Sequence, residues 1–254
     1  MKNLYFAGIL SVCTSILCSA FASEHPVKVV LFPYKEAVLV SQIDGTIKKY
    51  YFRVGESFKS GNCLLAFDEA PYRIELDRST ARKEEIEVQL KLAKETFISQ
   101  KQLFEQDFQS KLEMQRREAE FEALKARLKS AAADCSEAGL RLSYCKRKAP
   151  FDGRIEQIMC REHETVRTGQ PLFRIIYDKK LLAVMNIPLV DLKPVGTELS
   201  FMFGKVQVKG RVHEISPQAD HRSGTIEIKA LISNADGRLI CGMTGELLRN
   251  DPVK

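Results

Sequence analysis

The sequence predicts an α+β multidomain protein, with an antiparallel coiled-coil α-hairpin inserted in a split β-domain and a small β-barrel following it. Three observations predict this. The stretch from about Tyr72 to Cys145 has no proline and no glycine except Gly139, and its apolar residues recur at alternating spacings of three and four. Two short motifs flanking that stretch are copies of one another, displaced by 108 residues without a gap. Between Leu181 and Leu247, apolar residues alternate with polar ones between glycine-containing turns.

The 254 residues carry 39 Lys plus Arg against 33 Asp plus Glu, a formal charge of +6. That length buries a real core, and the composition excludes wholesale disorder and collagen-like or disulfide-scaffold classes. Residues 1–22 read as a secretory signal peptide. Lys2 supplies the positive end, Leu4 to Ala22 lacks charge, and Ala20-Phe21-Ala22 is a small-residue cleavage site. An uncleaved anchor is the alternative, weakened by Ser11, Thr14, Ser15 and Ser19. Val12 and Leu17 occupy positions where lipidation at Cys13 or Cys18 requires a small residue. The mature chain is therefore expected in an exported compartment, soluble or peripheral to the inner membrane.

Past the leader, Cys63, Cys135, Cys145, Cys160 and Cys241 are odd in number and show no CxxC spacing. They make a poor disulfide framework and, with His25, His163, His213 and His221 scattered, a poor metal site. No metal or cofactor is expected.

Residues 72–145 are the hairpin. Ile86, Leu90, Ala93, Phe97 and Phe104 mark a seam on the first arm; Phe121, Leu124, Leu128, Ala131, Cys135, Ala138, Leu142 and Cys145 mark it on the second. Between Arg73 and Arg141 there are 14 basic and 14 acidic residues, which suits an exposed coiled coil and argues against nucleic-acid binding. The seam lapses over Gln106-Asp107-Phe108-Gln109-Ser110, so the chain reverses there between arms of about 35 residues, roughly 50 Å each. Cys135 and Cys145 read as small buried seam residues rather than redox groups.

The flanking motifs are Ile43-Asp44-Gly45-Thr46-Ile47 with Gly55-Glu56, Gly61 and Leu64-Leu65, and Phe151-Asp152-Gly153-Arg154-Ile155 with His163-Glu164, Gly169 and Leu172-Phe173. Each half, 39–71 and 146–178, is expected to supply an Asp-Gly turn, short strands and a second glycine turn, and to pack face to face with the other. Residues 179–247 follow as five or six short strands, with turns at Pro194-Val195-Gly196, Ser223-Gly224 and Asp236-Gly237.

This order of leader, half-motif, hairpin and half-motif resembles the periplasmic adaptor subunits of tripartite efflux pumps, the membrane fusion or HlyD family. Ala149-Pro150-Phe151-Asp152-Gly153-Arg154-Ile155 is similar to the family's second half-motif. Gly210 to Pro217, Ser223 to Ile228, Asn234 to Leu239 and Gly242-Met243-Thr244-Gly245 are similar to its barrel sequence. The resemblance implies that the split domain is lipoyl/biotinyl-like. It implies a non-enzymatic adaptor assembled as a homo-oligomeric ring, whose partners are an inner-membrane transporter of RND or ABC type and an outer-membrane channel. The family's membrane-proximal domain is expected to be absent or vestigial, with 23–38 giving its first strand and 248–254 a short tail.

No nucleophile elbow or P-loop is present, so no catalytic residues are expected. Lysine modification as in a carrier domain is disfavoured, because Asp68-Glu69-Ala70-Pro71 leads into a helix where the modified hairpin would stand. In the family the hairpin tip touches the channel through an Arg, a Leu four residues on and a Ser seven further. Leu103 and Ser110 match that spacing, Ser99 stands at the Arg position, and Lys101 and Gln106 lie nearby. The structural alternatives are Leu103 as a seam residue and Ser110 as a helix N-cap with Glu113 in capping-box position. Asp44, Gly45, Gly61, Asp152, Gly153 and Gly169 are the motif turn residues. An envelope coiled-coil protein without a pump role is the second functional reading, and an acyl or biotin carrier the third.

Overall fold

The computed structural model describes residues 26–248, so the leader and most of the tail lie outside the described residues. In chain order the strands before the helices are β1 (Lys28–Val40), β2 (Gly45–Tyr50), β3 (Ser57–Phe58) and β4 (Cys63–Phe67). Helices α1 (Ala70–Glu105) and α2 (Lys111–Tyr144) follow, then β5 (Lys146–Lys148), β6 (Gly153–Ile158), β7 (Thr165–Val166) and β8 (Pro171–Pro188). The last strands are β9 (Glu198–Phe203), β10 (Val206–Ala219), β11 (Thr225–Ser233) and β12 (Thr244–Leu248). The chain divides into two compact units, Phe32–Leu182 with Ser233–Cys241, and Ala183–Ile232 with Gly242–Lys254 and the segment up to Leu31.

In the first unit the two half-motifs interleave. One sheet runs β5-β4-β2-β7, so β2 of the first half pairs with β7 of the second, through Gly45↔Val166 and Thr46↔Thr165. Conversely β3 pairs with β6, Ser57↔Arg154 and Phe58↔Gly153. The halves therefore exchange strands where simple face-to-face packing was expected, because β3 and β7, two residues each, satisfy their backbone groups only on a neighbour. The core is Ile47, Leu64, Phe67, Ile155, Leu172 and Phe173, each 1% exposed or less.

The 108-residue repeat extends to individual backbone hydrogen bonds. Ile47 N donates to Glu164 O (2.9 Å) and Ile155 N to Glu56 O (3.3 Å); Gly55 N donates to Ile155 O and His163 N to Ile47 O, both 2.8 Å. Tyr51 N to Leu64 O (3.0 Å) is matched by Met159 N to Leu172 O (2.8 Å). A local two-fold relation thus connects the halves.

The helices lie between β4 and β5, which pair antiparallel through Cys63↔Lys148 and Ala66↔Lys146. Pro71 in the first turn of α1 suits a helix start, since its missing N–H has no intrahelical partner there. The rings of Phe97 and Phe121 stack at 5.9 Å, while Thr80 Oγ1 lies 3.4 Å from Cys135 Sγ and Arg141 pairs with Glu75 at 2.9 Å. The arms therefore run antiparallel along their length. Ala93, Ala131 and Ala138 are buried on this seam. Cys135 is half-buried on it, but Cys145 is not a seam residue: it caps α2 and is wholly buried in the β core. Its carbonyl accepts from Phe67 N, which draws it into the sheet layer.

In the second unit β12 pairs with β1 and β9, and β9 with β10, which pairs with β11. The sheet order β1-β12-β9-β10-β11-β8 carries an additional β1–β8 pairing. Strand β11 alternates buried Ile226, Ile228, Ala230 and Ile232 with more exposed neighbours, the period-two pattern read from the sequence. Two expectations are corrected. The 23–38 segment was assigned to a separate vestigial domain, yet Lys28–Val30 pairs with Thr244–Glu246, because β12 needs a partner on its second edge. The Asn234–Leu239 segment, assigned to the barrel, belongs to the first unit. Buried Asn234 donates from Nδ2 to Asp178 O and Leu239 O and accepts from Leu239 N, a set of bonds that ties it to β8.

Candidate functional site

The motif acids act across the local two-fold. Asp44 Oδ1 accepts from Thr168 N (2.6 Å) and Thr168 Oγ1 (3.0 Å). Asp152 Oδ1 accepts from Ser60 N (2.7 Å), and Ser60 is the repeat partner of Thr168. Each half thereby holds a turn of the other. The Thr168 bonds hold the Asp44 carboxyl below its ordinary pKa, the backbone N–H contributing most.

The glycines divide differently from the sequence reading. Gly45 and Gly153 open strands and have no positive φ, so the Asp-Gly pairs are not left-handed turns. Gly153 is required by space: a Cβ there would strike the Ile176 carbonyl oxygen. Gly61 (φ 82°) and Gly169 (φ 86°) are the turn glycines, and their N–H groups donate across to Ala149 O (2.9 Å) and Ser41 O (2.8 Å).

At the root of the hairpin, Tyr72 Oη donates to Asp44 O, and Glu69 pairs with Arg73 (3.2 Å) and Lys146 (3.1 Å). Lys146, through its hydrogen bond first, holds the Glu69 carboxyl below its ordinary pKa. Arg141 grips Glu75 (2.9 Å) on the facing helix and Glu137 (2.6 Å) on its own. The root is thus bound to the β-unit by contacts from both helices. Burial pushes the Cys145 thiol here up to about 11, so it stays protonated at neutral pH.

At the far end, Asp107 takes a left-handed conformation (φ 61°) that reverses the chain, and Phe108 N donates to Leu103 O at 2.9 Å. Ser110 is the N-cap of α2: its Oγ accepts from Glu113 N at 3.3 Å. Glu113 turns instead to Arg117 (3.0 Å), so only one half of the capping box is formed. Leu103 is not a seam residue; Phe104 takes the half-buried position and Leu103 is 39% exposed. Lys101 and Gln106 are exposed, Gln106 as the C-cap of α1. The structure adds two residues the sequence reading missed, Phe108 (77% exposed) and Leu112 (60% exposed). Their signal was present: a phenylalanine inside a reversal segment and a leucine one residue past an N-cap, neither on the seam. Leu103, Phe108 and Leu112 thus give the reversal an exposed apolar character, edged by polar Lys101, Gln106 and Ser110.

A strand-exchanged β-unit with a long helical hairpin set into one strand pair defines a membrane-fusion-type scaffold. The model of the RND membrane fusion protein barrel-sandwich hybrid domain matches residues 35–178, and the CusB-like β-barrel domain model matches 197–252. The chain belongs to the RND membrane fusion protein family. Among curated proteins it is similar to nodulation protein NolF of Rhizobium meliloti (strain 1021), 26% identical over 219 residues, covering 84% of this chain and 59% of NolF. It is also similar to multidrug resistance protein MdtA of Yersinia pestis (strain Pestoides F), 26% identical over 227 residues, covering 78% of this chain and 48% of MdtA. The chain thus spans about half to three-fifths of these relatives. The solved membrane fusion protein Spr0693 of Streptococcus pneumoniae R6 shares the fold, with a TM-score of 0.68 at 14% identity, covering 88% of this chain and 98% of Spr0693. Among the described residues no helix is long and apolar enough to cross a membrane.

Proposed function

We propose that this chain is a periplasmic adaptor linking an inner-membrane transporter, of RND or ABC type, to an outer-membrane channel in a tripartite efflux or secretion system. It is exported by its leader, carries no catalytic residues or cofactor, and works as a homo-oligomeric ring. The observation that carries this reading is the pairing of a family-matched barrel-sandwich unit with a hairpin whose reversal exposes Leu103, Phe108 and Leu112. In this reading the first unit is the split lipoyl-like domain, and the strand order with its β1–β8 pairing closes a small six-stranded barrel. The work is mechanical: the β-domains stack side by side, the hairpins line a tube, and the apolar tips seat on the channel.

The test is export of a pump substrate from cells carrying tip variants. Leu103→Asp and Phe108→Asp are expected to abolish export with helix content unchanged, since both side chains face solvent and support no fold contact. Full export by both variants would show that the tip is not the contact.

The second reading, an envelope coiled-coil protein without a pump, is favoured by Ser99. At the position of the family's Arg, its hydroxyl donates back to Glu95 O of its own helix (3.1 Å) and offers no long charged donor. Pull-down of the mature protein separates the two: recovery of neither transporter nor channel rejects the adaptor reading. An intact mass without a lysine adduct rejects a carrier role.

A further inference from the structure

Helix α1 carries a second apolar stripe that its partner α2 does not cover. At about 100° per residue, Ile74, Ala81, Val88, Leu92, Ser99 and Leu103 fall within an arc of about 60° on the side opposite the seam. Val88 is 71% exposed and Leu92 66% exposed, more than any seam residue, and they sit one turn apart at mid-arm. Solvent alone gives no reason for large aliphatics there.

The outer face of α2 is complementary in size and charge at the same height. Ala126, Lys129, Ala133, Ser136 and Leu140 lie within an arc of about 80° opposite the α2 seam. The heights follow from three observed pairs: Phe97 with Phe121, Thr80 with Cys135 and Glu75 with Arg141. Val88 therefore lies level with Lys129, and Leu92 with Ala126. Glu84 and Glu85 stand about one turn before Val88, and Glu95 about one turn past Leu92. Branched residues among acids on one helix face small residues around a lysine on the other.

We propose that the α1 outer stripe is a docking surface for the α2 outer face of a second copy of this chain, with the two hairpins parallel and in the same height register. Val88 and Leu92 enter the groove over Ala126 and Ala133, and Lys129 meets Glu84 or Glu85. This head-to-tail contact uses two different surfaces per copy, so it propagates from copy to copy in one direction and closes as a ring. The inference rests on the ring assembly proposed above and assigns the residues and register that build it.

The test uses the full mature protein with a p-benzoylphenylalanine photocrosslinker in place of Val88. Crosslinked dimers are expected to map to residues 122–133 of the second copy. Crosslinks to residues 84–95 of the second copy would mean a symmetric α1–α1 contact and overturn the proposal, as would crosslinks to other proteins alone. Sedimentation provides the second arm: Val88→Glu with Leu92→Glu is expected to weaken self-association on the order of tenfold or more with helix content unchanged. Rings that persist undiminished in the double variant overturn this surface while leaving the adaptor reading intact. A wild-type protein monomeric at every concentration overturns both this surface and the ring.

Discussion

Residues 41–64 and 149–172 have one plan and meet their neighbours differently. Both halves make the same turn bonds: Arg53 N donates to Glu56 Oε2 and Arg161 N to Glu164 Oε2, each at 2.8 Å. Yet Gly153 faces the Ile176 carbonyl, whereas a Cβ on Gly45 would meet only Phe67 Cδ1 at 3.6 Å. Gly55 takes φ 85° without strain, and His163 takes φ 66° at the equivalent place. Asp44 holds both the N–H and the hydroxyl of Thr168, whereas Asp152 holds only the N–H of Ser60. The repeated backbone bonds define the fold, and the side chains around them have drifted to suit what each half packs against.

The largest expected break in this equivalence is Gly153→Ala against Gly45→Ala. The first forces a methyl into a backbone oxygen and should cost on the order of 2–3 kcal/mol, while the second meets ordinary contact and should cost under about 1 kcal/mol. Denaturant unfolding of the two variants checks this; equal losses would mean the strand exchange does not crowd β6. Next come the left-handed positions. Gly55→Ala should destabilise by about 1 kcal/mol, and His163→Gly should change stability by about 0.5 kcal/mol in the opposite direction, relief of strain outweighing the added chain entropy. Thermal melts of both variants read the sign directly.

The smallest effect concerns the Asp44 and Asp152 latches, both on exposed carboxylates. The folded-state pKa of Asp44 is depressed, so its contribution is fully present above the ordinary carboxylate range and lost as pH falls through the depressed value. Asp44→Asn should therefore lower the melting temperature at pH 7 and flatten its fall on acidification below about pH 4. Asp152→Asn, which loses one acceptor contact, should move the melting temperature less. An identical acid profile for wild type and Asp44→Asn would show that Thr168 does not bind the charged form.

The hairpin was legible from residue order because a coiled coil is a local pattern. Spacings of three and four placed Phe97 and Phe121 on facing seams, and the break at Gln106–Ser110 placed the reversal. The repeat was legible for the same reason, as identical residues at a constant displacement. Cys145 was misread because periodicity continues one step past the helix end, while its burial comes from Phe67 on a distant strand. The tip was half legible: Leu103 and Ser110 lie where a spacing rule placed them, but Phe108 and Leu112 emerge only once the turn at Asp107 sets their exposure.

By itself the sequence determined the class, the two arms and the duplicated motif, since helix periodicity and internal repetition are properties of neighbouring residues. Only the tertiary structure decided that the halves exchange strands, that Asp44 and Asp152 latch the opposite half, that Lys28–Val30 joins β12 and that Asn234 ties its loop to β8. Each of these satisfies a backbone or side-chain hydrogen-bonding group with a partner far along the chain, and no local pattern records which distant group will be free to receive it.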